Sequence, residues 1–90
     1  MSEAIAQRVV EAIAESRRVD AGQISLDTTF EELGMTSLDA LSLVYDLEEE
    51  FNVSIPNEEV MSLRSVGQAV ESVRRLLSET EAMEGEAAGL

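Results

Sequence analysis

Cysteine, histidine and lysine are all absent from this chain of 90 residues. Without cysteine there is neither a disulfide framework nor a thiolate metal site. Without histidine the usual general base and the commonest metal ligand are gone. An enzyme made from this chain would have to work with hydroxyls and carboxylates alone, and no paired arrangement of them suggests an active site. The chain is not expected to be an enzyme or to bind a metal. Only three residues are aromatic, Phe30, Tyr45 and Phe51, so the core must be mostly aliphatic. No apolar run is long enough for a signal peptide or a membrane span. A soluble, cytoplasmic protein that does not insert into membranes is expected.

Positive charge is also scarce. Six arginines stand against 19 acidic residues, for a net charge of −13. The arginines lie at 8, 17, 18, 64, 74 and 75, and from Val19 to Leu63 there are eleven acidic residues and no basic one. Such a balance argues against nucleic acid and anionic membranes and for partners with basic surfaces. A hydrophobic content of 44% is too high for a fully disordered acidic chain. The length suits one domain with a single modest core.

Apolar spacing divides the chain into helices. Glu3 to about Arg17 carries Ile5, Val9, Ala12 and Ile13 on one stripe, widened by Ala6 and Val10. Ser2 suits its N-cap, and Arg17 and Arg18 read as solvent-exposed charges complementing the negative end of its dipole. Val19 to Thr36 is a long connection that needs anchors. Ile24, Leu26, Phe30 and Leu33 are expected to insert into the core, and Thr29 with Glu32 matches a capping box over one turn. The second helix starts at Ser37 or Leu38 and runs to Phe51. At about 100° per residue its core face holds Ala40, Leu43, Val44, Leu47 and Phe51. Asp39, Asp46 and Glu50 fall together opposite, beside Ser42 and Glu49, while Leu38, Leu41 and Tyr45 make a second apolar strip. Pro56 holds Ile55 extended, and Asn57 can cap a short helix to about Leu63 with Glu58 and Glu59 in its first turn. The last helix, Ser65 to about Ser78, opens on the box Ser65–Gln68 and carries Val66, Ala69, Val70, Val73, Leu76 and Leu77. Residues 1–78 thus read as one domain, and residues 79–90 as a disordered acidic tail.

The segment Leu33-Gly34-Met35-Thr36-Ser37-Leu38 joins the connection to the second helix. Gly34 permits a sharp change of direction, since without a Cβ it tolerates positive φ. Ser37 then sits where the first helical N–H groups lack partners, at the positive end of the dipole. On its own, a serine there is an N-cap. An anion attached to it would also be well placed.

Joined to the acidic helix ending Leu47-Glu48-Glu49-Glu50-Phe51, the segment Val53-Ser54-Ile55-Pro56-Asn57 and the closing Ser65-Val66-Gly67-Gln68-Ala69-Val70, this junction resembles the acyl carrier proteins. The likeness covers Ile5 to Leu77. It implies an all-α fold, a small antiparallel bundle of three main helices plus a short one. It also implies that Ser37 carries 4′-phosphopantetheine, taken from coenzyme A, as a phosphodiester whose terminal thiol holds acyl groups as thioesters. The protein would then be a monomeric phosphoprotein of fatty-acid, polyketide or related biosynthesis, its interior parting to shelter the acyl chain. Its expected partners are a phosphopantetheinyl transferase and acyl-loading and acyl-transferring enzymes with basic docking surfaces. Thr36, Leu38, Asp39, Leu41, Tyr45, Asp46, Glu48, Glu49 and Glu58 are the residues expected to meet them. Most fatty-acid-type members have aspartate where this chain has Thr36, which leaves Asp39 as the acidic residue nearest Ser37 and the identity of the transferase open. Two alternatives stand beside this reading: an aminoacyl or peptidyl carrier, and an acidic helical adaptor that is never modified.

Overall fold

The apolar stripes become four α-helices in a computed structural model that describes the backbone of residues 2–88 and the side chains of residues 4–79. Helix α1 spans Ser2–Arg17 and buries Val9, Ile13 and Ala14. It closes at Arg18, whose φ of 57° is left-handed, and the Val19 N–H donates to the Ala14 carbonyl at 3.0 Å. The cap expected of Ser2 lies outside the described side chains.

The connection of residues 19–36 opens with a 3-10 turn, Ala21–Gln23, whose Gly22 N–H donates to the Asp20 carboxylate. Ile24 and Phe30 anchor it in the core, and Leu33 packs against it. Leu26 does not insert as expected: it is 50% exposed, and its carbonyl is used instead, accepting from the Gly67 N–H at 2.9 Å. A Cβ on Gly67 would stand 3.0 Å from that carbonyl, tighter than ordinary van der Waals contact, so the close approach favours glycine. The Thr28 carbonyl accepts from Val66 N–H, and Phe30 N–H donates to the Arg64 carbonyl, both at 2.9 Å. Thr29 and Ser65 form an isolated antiparallel bridge between these bonds. The connection is thus fastened by backbone to the start of the last helix, whose first donors have no partners within it. The capping box of Thr29 and Glu32 forms as expected, with Glu32 N–H on Thr29 Oγ1 at 3.1 Å and the Thr29 N–H on Glu32 Oε1 at 3.3 Å.

Helix α2, Ser37–Phe51, buries Leu43, Val44, Leu47 and Phe51, the face that its periodicity predicts. It ends on Asn52, left-handed at φ 55°, a conformation asparagine tolerates better than most residues. The Glu48 carboxylate turns back to accept the Ile55 N–H at 2.7 Å, which fixes the exit. Helix α3, Asn57–Ser62, begins at Asn57 rather than being capped by it, and Pro56 before it makes no side-chain cap. None of its own residues is buried. It is held by Val60, which packs against the core, and by Glu59, which accepts from Ser72 Oγ at 3.2 Å and pairs with Arg75. Helix α4, Val66–Ala88, buries Val66, Ala69, Val70 and Val73. The Ser65–Gln68 box that opens it forms as predicted.

The last helix runs past the end at about Ser78 that its apolar stripe suggests: α4 continues to Ala88, and residues 89–90 of the expected tail lie outside the described residues. Residues 79–88 are mostly Glu, Ala and Met, which are strong helix formers, with Thr80 and Gly85 the poorer ones. Helical propensity needs no apolar periodicity, so a search for stripes misses it.

Candidate functional site

Two caps and a glycine build the junction before α2. Gly34 takes a left-handed φ of 69°, and the Met35 N–H returns to the Phe30 carbonyl at 3.0 Å. Thr36 is the N-cap. Its hydroxyl accepts from the Asp39 N–H at 3.2 Å, and the Asp39 carboxylate accepts from the Thr36 N–H at 2.9 Å. This reciprocal pair satisfies two donors that a helix start otherwise leaves open. Capping is therefore the work of Thr36, one residue earlier than a serine cap would place it. Ser37, the first residue of α2, is left exposed, and its hydroxyl has no hydrogen-bond partner among the described residues. The N–H groups of Ser37 and Leu38 point out of the helix end with no partner among those residues either.

Arg17 does not stand in solvent as expected of a helix-end charge. It reaches from α1 to the junction, donating to the Gly34 carbonyl at 3.3 Å and lying 3.4 Å from Asp39 Oδ2. The Asp39 carboxyl is held below its ordinary value, chiefly by the N–H of Thr36, with the Thr36 hydroxyl and then the charge of Arg17 adding to it against partial burial. Asp39 is thus ionised and engaged internally. A sequence search could not have found the Arg17 contact, because nothing in the spacing links the end of α1 to the start of α2.

Beside Ser37 lies an open groove of about 400 Å³. Phe30, Met35, Ala40 and Leu63 give it an apolar floor, with Glu31, Thr36 and Arg64 at its edges. Arg64 is steadied there by donating to the carbonyls of Met61 at 2.9 Å and Leu63 at 3.2 Å.

The other predicted contact residues are spread over two helices and do not share one environment. Thr36, Leu38 and Asp39 share the first turn of α2 with Ser37. Leu38 and Tyr45 are exposed at 76% and 60%, while Leu41 is half-buried. Asp46 and Glu49 are exposed further along the helix, and Asp46 and Glu50 border a groove against Glu11 and Glu15 of α1. Glu48 is committed to the Ile55 N–H, and Glu58 stands exposed on α3, a different element. No helix among the described residues is long and apolar enough to cross a membrane.

The family model described as the phosphopantetheine attachment site matches residues 7–73. An acyl carrier protein of Azobacteroides pseudotrichonymphae genomovar. CFP2 is 40% identical over 68 residues, which cover 73% of this chain and 80% of that protein. Among solved structures, an acyl carrier protein from Thermotoga maritima superposes with a TM-score of 0.77 at 30% identity, covering 88% of this chain and 93% of that one.

Proposed function

The chain belongs to the acyl carrier protein family, whose prosthetic group is 4′-phosphopantetheine, and from that premise we propose that Ser37 is the residue that carries it. Proteins of this family are carriers and not enzymes; they work with a phosphopantetheinyl transferase and with partner enzymes. An adaptor that is never modified is therefore set aside. The observation that supports Ser37 is its freedom: the Thr36–Asp39 box has taken over capping, so the hydroxyl at the helix start is exposed and unbonded.

The residues present fit a phosphodiester. The unpartnered N–H groups of Ser37 and Leu38 sit at the positive end of α2, where a phosphate is stabilised, and the apolar groove lies alongside. When attached, the pantetheine thiol supplies the group that holds acyl chains as thioesters. The chain's own contribution is the nucleophilic hydroxyl, the helix end that accepts a phosphate and the surface that partners read. With no histidine, lysine or cysteine in the sequence, the base that takes the Ser37 proton is expected from the transferase.

Leu38 and Tyr45, exposed beside Asp46 and Glu49, supply the rest of the docking surface for basic partners. Long-range attraction with few buried contacts suits a carrier that must leave each enzyme it visits. Residues 1–78 are taken as the working unit and as a monomer; among the described residues the last buried apolar side chain is Val73. Incubation with coenzyme A and a broad-specificity transferase, followed by intact mass, tests the assignment. Wild type should gain one phosphopantetheine and Ser37→Ala none, while the variant keeps its fold to within about 0.5 kcal/mol, as for a surface substitution. An alanine variant that still gains the mass would sink the assignment.

A further inference from the structure

We infer that Arg17 is a positioning residue for the modification of Ser37, holding both ends of the junction from α1 and keeping Asp39 as an internal brace. The inference rests on the reading of Ser37 as the attachment point. Its ground is the placement of the guanidinium. A cation at the positive end of a helix is disfavoured, yet the Arg17 side chain is only 26% exposed there, while neighbouring Arg18 remains in solvent. Its Nε is buried with no partner among the described residues. Two acceptors compensate for this location. One is the carbonyl of Gly34, the residue with the left-handed turn; the other is Asp39 Oδ2, the same oxygen that receives the Thr36 N–H.

Ser37 lies between these two points in the chain, and its side chain has no hydrogen bond among the described residues. Where its hydroxyl stands is therefore set by Gly34 on one side and the capping box on the other, and Arg17 ties them together. In the transfer, Ser37 Oγ forms a bond to the pantetheine-side phosphorus of coenzyme A. The pyrophosphate P–O bond breaks, adenosine 3′,5′-bisphosphate leaves, and the hydroxyl proton passes to a base on the transferase. A loosened junction places Oγ correctly in fewer encounters, which lowers the rate of that step rather than the affinity. Loss of a positive charge here makes the site more acidic, so a basic transferase is attracted at least as well.

The test uses the full unmodified chain with coenzyme A and a phosphopantetheinyl transferase. Arg17→Gln should lower kcat on the order of tenfold with KM unchanged or reduced. Arg17→Lys should recover only part of that loss, since one ammonium cannot fork to both acceptors. In an Asp39→Asn background the effect of Arg17→Gln should shrink, as expected of residues sharing one network. An unchanged kcat in a folded Arg17→Gln overturns the inference, and so does a rise in KM alone, which would make Arg17 a transferase contact. Amide hydrogen exchange at Thr36 and Asp39, read without any transferase, separates this inference from the reading beneath it. Faster exchange in Arg17→Gln supports the brace even if wild type is never modified, and unchanged exchange overturns it.

Discussion

Helix α2 meets an arginine from α1 at each end, and the two ends use the charge in opposite ways. At its C-terminal end, Arg8 donates to the Glu50 carbonyl at 3.4 Å and lies 4.3 Å from the centre of the Phe51 ring. A cation is favoured there by the helix dipole, by the open carbonyls and by the aromatic face. At the N-terminal end Arg17 stands where the dipole opposes it, and needs Asp39 and the Gly34 carbonyl to be accommodated. The C-terminal end is finished by packing: Phe51 is buried, Asn52 turns the chain and Glu48 closes the exit. The N-terminal end is finished by polar contacts at the surface and leaves a hydroxyl unused. One end of the helix stabilises the fold, and the other carries the hydroxyl proposed above as the attachment point.

If that contrast is sound, substitutions at the two ends should separate in stability. Phe51→Ala should have the largest effect, with a loss of about 3–5 kcal/mol in denaturant unfolding, because a buried ring and its packing are removed. Glu48→Ala should follow at about 1–3 kcal/mol, since it leaves the N–H of buried Ile55 without its acceptor. At the other end, Thr36→Ala should lose about 0.5–2 kcal/mol, the usual range for a cap. The capping carboxylate also predicts a pH dependence. The pKa of Asp39 is lowered in the folded protein, so its contribution is present above the unfolded value near 3.8 and is lost as pH falls through the lower folded value. Asp39→Asn should flatten that part of the acid unfolding curve and leave the neutral part of its shape unchanged. Arg8→Gln should matter least, by under about 1 kcal/mol, and the difference should shrink as salt screens the exposed guanidinium. A Thr36→Ala loss larger than that of Phe51→Ala would erase the distinction between the ends.

The helices were legible because burial imposes periodicity, and the stripes of α1, α2 and α4 carry it. The boxes at Thr29–Glu32 and Ser65–Gln68 were legible because they close over three residues. Thr36 and Asp39 have the same spacing, but with aspartate in the place where glutamate or glutamine is the familiar partner, so the residue expected to meet partners turns out to be a cap. Arg17, the return of Glu48 to Ile55 and the grip of Glu59 on Ser72 and Arg75 join residues from separate elements, so they exist only once the elements have packed. Leu26 shows a further limit. Its apolar side chain suggested an anchor, whereas the protein uses its carbonyl, a group every residue possesses.

That carbonyl has a consequence in time as well as in space. The bonds from Gly67 to Leu26 and from Val66 to Thr28 join chain segments on either side of α2 and α3. Closing a loop of that length precedes the reward from the contacts it brings. The fastening of the connection to α4 should therefore be a late event in folding, after the local turns of α1 and α2 have formed. At equilibrium the same set of bonds should open as one unit without melting the core. Pulsed hydrogen exchange should show the amides of Phe30, Val66 and Gly67 gaining protection together, after those of Leu43 and Leu47.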